Sequence, residues 1–248
     1  MMGDPNIIRF PVLGSTNDHL NDVHADVDDM TIIVAGRQTR GRGRFGREWV
    51  SDDGGLWFSV LVRHDDPEHA FLLTFAAAVS VAEAIRKAAP GLEPKIKWPN
   101  DVLIGQKKVC GILTENVIGG RGRGSGCDSI VGIGLNVNND PPLDTSTSLS
   151  HELDRELDLT AILDSFVLVF SRYREDFRRR DYRRIIDGWK VFWGSAGKQV
   201  HISTVHGDLD GIAEDIADDG SLIIRSGGEV SSDVEKVQVL EGDLILPE

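Results

Sequence analysis

The spacing of apolar residues along the chain alternates between helix-length and strand-length patterns. Ser15 precedes apolar residues at helical spacing, as expected for an N-cap followed by an amphipathic helix. Residues 69–89 form an Ala-rich helical segment that stops at Pro90 and Gly91. Strand-length runs occupy 31–35, 56–62, 101–104, 107–117 and 130–137, and two further helices are predicted at 160–179 and 181–193. A mixed domain of helices and strands follows from this order.

The strand at 130–137 has an unusual face. Alternation makes one side apolar, whereas the other carries only Gly132, Gly134 and Asn136. Glycine weakens a strand, so two on one face indicate that a ligand or another part of the chain comes close. A bulge or close sheet packing explains the pattern equally well.

The pattern changes after Gly194. Short apolar runs at 198–203, 209–217, 220–225 and 234–239 are separated by turn dipeptides. This arrangement is typical of a small all-β barrel of about 50 residues. We therefore expect two domains, at residues 1–194 and 195–248.

Composition restricts the class of protein. The chain has 248 residues, of which 40% are hydrophobic and 27% charged, which suits one large domain with a small appendage. Its net charge of −13 opposes nonspecific binding to nucleic acid. No apolar run approaches the length of a membrane span, and residues 1–12 lack a secretory signal, so we expect a cytoplasmic protein. Cys110 and Cys127 form no CxxC pattern and are expected to pack in the core.

A positively charged segment interrupts this acidic chain. Between positions 37 and 47 there is no acidic residue, and glycines separate the arginines Arg37, Arg40, Arg42, Arg44 and Arg47. Guanidinium groups match carboxylate and phosphate oxygens, and glycine lets backbone N–H groups approach them. We expect a loop that is mobile alone and ordered by an anion. The alternative is a disordered basic linker or an RGG-like RNA contact, which the net charge disfavours.

A second candidate segment is Lys97-Trp98-Pro99-Asn100-Asp101, followed by Lys107 and Lys108. Lysines could neutralise polyphosphate while Asp101 meets its magnesium ion, although a surface hairpin with ordinary salt bridges explains the segment as well. Elsewhere, the arginines at 172–184 alternate with carboxylates, and those at 121 and 123 lie in a glycine-rich connection, so both groups are interpreted as solvent-exposed. The chain contains no GxxxxGK[ST], GxGxxG, HExxH or GxSxG motif that would place it in another enzyme class.

Together these segments resemble the biotin protein ligases, from about residue 8 to residue 246. The matching residues are Gln38 and five motifs: Ser15-Thr16-Asn17, the block from Gly41 to Trp49, the block from Lys97 to Val102, Lys108 with Gly111-Ile112-Leu113, and the block from Gly132 to Val137. Five motifs in one order make the resemblance specific. It implies an α+β catalytic domain like that of class II aminoacyl-tRNA synthetases, followed by an SH3-like β-barrel.

The resemblance also implies a two-step reaction. Biotin attacks the α-phosphate of Mg·ATP to give biotinyl-5′-AMP and pyrophosphate, and biotin then passes to a lysine of the biotin carboxyl carrier domain of an acetyl- or propionyl-CoA carboxylase. The implied cofactors are ATP and Mg²⁺, with biotin as substrate. The implied partners include the carrier domain and a second copy of the chain, but neither nucleic acid nor a membrane.

Residue roles come from the same resemblance. Lys108 and Arg44 are the implied catalytic residues. Those implied to bind biotin are Ser15, Thr16, Asn17, Gln38, Gly41, Arg42, Gly43, Arg44, Lys108, Gly111, Gly132 and Gly134. Those implied to bind ATP are Arg47, Trp49, Asn100, Asp101 and Asn136, with Asp101 at the metal. Because a carboxylate and a triphosphate repel each other, bringing them together requires fixed positive charge around both.

Two departures from the family pattern bear on function. Phe45 stands where an arginine is often found, which affects phosphate contacts or loop closure. The motifs begin at Ser15, leaving no room for the DNA-binding winged helix of bifunctional members, so a repressor role is not expected. Two rival functions are kept: a ligase that activates lipoate or octanoate, and a nucleic-acid-binding module built on the basic loop and the barrel.

Overall fold

A seven-stranded sheet forms the framework of the larger part of the molecule. The computed structural model describes residues 5–118, 126–204, 207–226 and 235–245. In chain order the strands are β1 (Ile7–Leu13), β2 (Ile32–Gln38), β3 (Leu56–His64), β4 (Pro94–Lys97), β5 (Asp101–Ile104), β6 (Lys107–Ile118) and β7 (Cys127–Leu135). Their order across the sheet is β1-β2-β3-β7-β6-β5-β4; β1 and β2 run parallel, and the other neighbouring pairs among these described strands run antiparallel.

Within the described residues, five α-helices accompany the sheet. They are α1 (Thr16–Val23), α2 (Leu72–Ala88), α3 (Leu149–Leu153), α4 (Leu159–Arg178) and α5 (Tyr182–Lys190). Helix α2 contacts both α4 and α5 and crosses β4 to β7, and the main core lies between these helices and the sheet. Aromatic pairs fill this core: Phe58 meets Phe166 edge to face at 4.9 Å, and Phe75 stacks on Trp189 at 4.5 Å. Burying each large side chain stabilises the fold by roughly 1.5–3 kcal/mol.

Helix α1 lies on the opposite face of the sheet. A second, smaller cluster of buried residues joins Leu20 of α1 to Ile33, Leu61 and Ile130 of the sheet. The sequence correctly predicts the N-cap of this helix, since Ser15 Oγ accepts a hydrogen bond from the backbone of Asp18. Glycines Gly132 and Gly134 share this face with α1, because residues two apart in a strand point the same way. One end of α1 is therefore held directly above the bare face of β7.

The C-terminal part is an antiparallel sheet. Its strands are β8 (Gln199–Thr204), β9 (Gly207–Ile216), β10 (Leu222–Ser226), β11 (Glu235–Val239) and β12 (Asp243–Ile245), in the order β11-β10-β9-β8-β12. The predicted all-β character is confirmed. Closure into a barrel is not seen within the described residues, because β11 pairs only with β10 and β12 only with β8. The described strands thus form an open sheet of SH3-like type.

The two sheets are joined at the turn between β4 and β5. Trp98 is fully buried there, and its indole N–H donates to the carbonyl of Gly220 over 3.0 Å. Gly220 has a φ of +85°, and a Cβ at this position would lie 2.8 Å from the ring of Phe71. The segment that carries Asn100 and Asp101 is thereby fixed against the C-terminal sheet.

Most predicted elements are present with ends shifted by a few residues. Strands β1, β4 and β12 and helix α3 are present although the sequence did not predict them. The glycine-rich connection with Arg121 and Arg123 lies outside the described residues, apart from Gly126. Of the helices in the described ranges, none is both long and apolar enough to cross a lipid bilayer.

Candidate active site

A cavity of 440 Å³ opens on the face of the large sheet that carries α1. Every sequence-predicted site residue except Gly41 lines it: Ser15, Thr16, Asn17, Gln38, Arg42, Gly43, Arg44, Arg47, Trp49, Asn100, Asp101, Lys108, Gly111, Gly132, Gly134 and Asn136. Gly41 lies behind the wall, where a Cβ would come within 2.3 Å of the Trp49 carbonyl oxygen. Predicted residues as far apart in the sequence as Ser15 and Asn136 therefore meet in one cavity.

The start of α1 forms one end of the cavity and is rich in fixed polar groups. The backbone N–H and the hydroxyl of Thr16 both donate to Gln38 Oε1, over 2.7 and 3.1 Å. The Gln38 amide in turn donates to Ser51 Oγ over 2.9 Å. Ser15, Thr16 and Asn17 are each at most 5% exposed. These hydrogen bonds fix donors and acceptors before any ligand arrives.

The bare face of β7 makes room for side chains of other segments. A Cβ on Gly132 would lie 2.1 Å from Asn17 Oδ1, and one on Gly134 would lie 2.4 Å from the indole nitrogen of Trp49. Strand β7 pairs in unbroken register with both neighbours at these glycines, so no bulge is present. The two glycines therefore allow Asn17 and Trp49 to lie flat against the floor of the cavity.

The arginine-rich segment forms a short hairpin over the cavity. The backbone N–H of Trp49 donates to the carbonyl of Gly41, and the backbone N–H of Gly43 donates to the carbonyl of Arg47. At its tip Phe45 adopts a φ of +56°, in the left-handed region that non-glycine residues rarely occupy. The Phe45 ring lies 4.8 Å from the Arg44 guanidinium carbon and 5.7 Å from that of Arg47. The departure from the family pattern thus places an aromatic ring beside two arginines.

Carboxylates from distant segments meet the arginines of this hairpin. Arg42 pairs with Asp18 at 2.6 Å and with Glu115 at 3.1 Å. Burial lowers the pKa of Arg42, but the hydrogen bonds and charges of these two carboxylates outweigh it and raise the pKa above its usual value. Residues 37–47 themselves contain no acid, but carboxylates from elsewhere in the chain neutralise Arg42 in the folded protein, which the sequence did not predict.

The other two arginines reach the C-terminal sheet. Arg44 donates to Asn100 Oδ1 at 3.2 Å and to the carbonyl of Gly242 at 3.3 Å, and Arg47 pairs with Asp243. Burial is the main influence on Arg44 and lowers its pKa, although nearby carboxylates act in the opposite direction. The hairpin therefore bridges the catalytic sheet and the turn before β12.

Positive charge also lines the floor of the cavity. Lys108 Nζ lies 2.6 Å from Asp101 Oδ1 and 5.1 Å from the centre of the Trp49 ring. Lys97 approaches the other oxygen of Asp101 at 3.5 Å. Asp101 itself is 8% exposed, so its carboxylate is fixed between two ammonium groups.

Sequence reasoning missed part of the wall. The missed residues are Glu48, Val50, Ile112, Leu113, Ile133, Pro141, Pro142, Leu143, Thr145, Ser146 and Asp243. Backbone pairing between Lys108 and residues 145–147 brings the Pro-Pro-Leu segment to the cavity. Four of these residues, Glu48, Ile112, Leu113 and Ile133, lie within the matching motifs and carried a usable signal, whereas Asp243 belongs to a turn that no motif marks.

This geometry suits the joining of two anions. Arg42, Arg44, Arg47 and Lys108 line a space that the wall partly shields from water, where fixed charges act more strongly than in bulk solvent. The described residues that line the cavity include neither a cysteine nor a histidine, and burial raises the pKa of the Cys110 thiol outside it. Positioning and electrostatic stabilisation are the chemistry it can supply.

Comparison with known families decides among the remaining classes. Residues 9–136 match the model of the biotin/lipoate A/B protein ligase family, and residues 196–246 match the biotin protein ligase C-terminal domain. The chain belongs to this family. Both parts of the molecule are therefore accounted for by one kind of enzyme.

Individual biotin protein ligases agree with this assignment. The chain is 34% identical to the bifunctional ligase/repressor BirA of Bacillus subtilis over 244 residues, covering 93% of this chain and 74% of the relative. It is 32% identical to the biotin–[acetyl-CoA-carboxylase] ligase of Paracoccus denitrificans over 203 residues, covering 78% and 83%. The biotin protein ligase of Aquifex aeolicus, solved with biotin and ATP, superimposes with a TM-score of 0.82 at 27% identity, covering 98% of this chain and 99% of the other.

Proposed function

We propose that the chain is an ATP-dependent biotin protein ligase that forms biotinyl-5′-AMP and transfers biotin to a lysine of a biotin carboxyl carrier domain. One observation carries the proposal: a single cavity is lined both by the hydrogen-bonding residues at the start of α1 and by the cationic side chains of Arg44, Arg47 and Lys108. The first group suits the neutral ureido ring of biotin. The second suits phosphate groups.

In this proposal biotin lies with its ring against Thr16, Asn17 and Gln38 and its carboxylate toward Lys108. Lys108 lowers the repulsion between that carboxylate and the α-phosphate, and neutralises charge that develops as the carboxylate oxygen attacks phosphorus. Arg44 and Arg47 hold the phosphates as pyrophosphate departs. Trp49 and Asn136 lie at the end that takes the adenine.

Magnesium fits the site as an ion that arrives with ATP. Mg²⁺ in nucleotide sites is held by one or two protein carboxylates together with phosphate oxygens. Asp101 lines the cavity and would supply such a carboxylate, and the described residues contain no cluster of three or more metal-binding side chains. The ion would contribute neutralisation of phosphate charge.

In the second step the acceptor lysine attacks the carbonyl of the mixed anhydride and AMP leaves. Closure of the arginine hairpin would protect this anhydride from water. We propose the carrier domain of an acetyl- or propionyl-CoA carboxylase as the acceptor. The homodimer, and the domain boundary between residues 194 and 195, stay predictions.

The function is tested by incubating the protein with labelled biotin, Mg·ATP and a biotin carboxyl carrier domain. We expect label on the carrier domain only when ATP is present, and none on a carrier whose acceptor lysine is replaced by arginine. Addition of excess lipoate or octanoate should leave the labelling unchanged. Adenylate formation from lipoate in preference to biotin would contradict the proposal and favour the rival ligase.

A further inference from the structure

Glu115 lies on β6 behind the end of the cavity that is formed by α1. Glu115 does not line the cavity, so a ligand bound there would not touch it. No sequence motif marks it either. It nevertheless contacts two residues that do line the cavity, Asn17 and Arg42.

The first contact fixes the orientation of the Asn17 amide. Asn17 Nδ2 donates to Glu115 Oε2 over 2.7 Å and to the carbonyl of Leu113 over 3.3 Å. Both partners can only accept hydrogen bonds, so the NH₂ group must face them and the amide oxygen must face away. That oxygen receives one hydrogen bond from Ser59 Oγ over 2.5 Å. Its second lone pair can accept a further donor.

The second contact holds the arginine hairpin. Arg42 approaches Glu115 with both terminal nitrogens, Nη1 to Oε1 and Nη2 to Oε2, each over 3.1 Å. This two-point geometry is the strong, directional form of an arginine–carboxylate pair. Arg42 Nη2 also donates to Asp18 Oδ1 over 2.6 Å, so the guanidinium is anchored to α1 as well as to β6.

One oxygen, Glu115 Oε2, accepts from both Asn17 and Arg42. The orientation of a recognition side chain and the position of the covering hairpin therefore depend on one carboxylate. We propose that Glu115 is a positioning residue for biotin, which presents the Asn17 oxygen to a ureido N–H and ties the hairpin over that end of the cavity. This inference rests on the proposed function.

Steady-state kinetics of biotin-dependent ATP–pyrophosphate exchange separate this role from a general structural one. We expect Glu115→Ala to raise KM for biotin at least tenfold while KM for ATP stays within twofold of the wild-type value. Glu115→Gln can still accept from Asn17 but loses its charge, so its biotin KM should rise by about threefold. Asp18→Asn, which weakens only the Arg42 contact, should resemble Glu115→Gln.

Asp128 provides a matched control. It is a carboxylate on the neighbouring strand β7, and the alternation of side chains along the strand places it on the same face of the sheet as Glu115. It pairs with Arg63 over 3.7 Å and does not line the cavity. Asp128→Ala should leave both KM values unchanged. Melting temperatures of all variants show whether each remains folded.

The outcomes distinguish the two proposals. A wild-type protein without biotin-dependent exchange overturns the proposed function and this inference with it. If the wild-type protein catalyses exchange, two results with folded Glu115→Ala overturn the inference alone. One is an unchanged KM for biotin, and the other is an equal rise in KM for biotin and for ATP. Glu115→Ala should also be combined with Arg42→Ala. If the double variant still has a biotin KM tenfold above that of Arg42→Ala, Glu115 acts directly on Asn17; equal KM values in the two variants would contradict a direct action.

Discussion

The ammonium of Lys108 lies 2.6 Å from a carboxylate oxygen of Asp101 at the floor of the cavity. Asp101 is almost completely buried and also faces Lys97, so the pair is fixed on the protein side. A substrate carboxylate that enters must share Lys108 with Asp101. The positive charge is thus already in place before the two anionic substrates meet, and little reorganisation is needed during the reaction.

Lys108→Ala tests this preorganised charge. We expect biotinyl-adenylate formation to slow by roughly 10²- to 10³-fold, the usual cost of removing one group that stabilises developing charge. Lys107→Ala is the matched control, since Lys107 is the adjacent, exposed residue of β6 and does not line the cavity. Single-turnover formation of the adenylate provides the measurement. Equal rates in the two variants would remove Lys108 from the chemistry.

The two glycines of β7 should have different effects on the two substrates. An added methyl group on Gly132 would strike Asn17, whereas one on Gly134 would strike Trp49. We therefore expect Gly132→Ala mainly to raise KM for biotin and Gly134→Ala mainly to raise KM for ATP, each by about tenfold. Overpacking should also cost about 1–3 kcal/mol of stability in both variants.

Kinetics at saturating levels of the second substrate, with urea unfolding on the same samples, provide the check. The tryptophan fluorescence of the protein, to which Trp49 contributes, should change in Gly134→Ala and stay close to wild type in Gly132→Ala. Equal increases in both KM values for both variants would mean that the glycines serve only general packing.

His64 should make stability depend on pH. Burial is the main influence on its ring and lowers its pKa below the ordinary value of 6.5. Near and below pH 6.5 the unfolded chain therefore binds more protons at this residue than the folded chain does. The contribution of His64 to the free energy of unfolding is present above that pH and is lost as the pH decreases. The ring also accepts a hydrogen bond from the Asp66 backbone at Nδ1, which a protonated ring cannot do.

The expected result is a smaller loss of unfolding free energy between pH 7.5 and pH 5.5 in His64→Gln than in the wild type. Urea midpoints measured at several pH values give this difference. An identical pH dependence in both proteins would show that His64 is not responsible.

Local patterns were sufficient for most elements but not for β1. Pro11 interrupts that strand and lacks the N–H that a central strand requires. The sheet tolerates it because β1 is an edge strand that pairs only with β2, and its register skips Pro11. Whether a strand lies at the edge of a sheet depends on the tertiary fold. The amino-acid sequence alone therefore could not show that a proline is tolerated in this strand.

The site shows the same division between local and tertiary information. The motifs predicted more than half of the residues that line the cavity, but not the Pro-Pro-Leu segment or Thr145 and Ser146 beside it. They could not predict Glu115 or Asp243, which meet Arg42 and Arg47 from positions 73 and 196 residues away. The interpretation of Gly132 and Gly134 likewise stayed open until the side chains above them, Asn17 and Trp49, were located.

The central claim is that the arginine hairpin brings a carboxylate and a triphosphate together, and Arg44 tests it most directly. Its side chain is 17% exposed and lines the cavity, whereas Arg37 is half exposed, pairs with Asp52 and lies outside the wall. Biotin-dependent ATP–pyrophosphate exchange should fall by about 10²-fold in Arg44→Ala, as for loss of one preorganised charge, and stay at the wild-type rate in Arg37→Ala. Wild-type exchange in a folded Arg44→Ala variant would contradict the account.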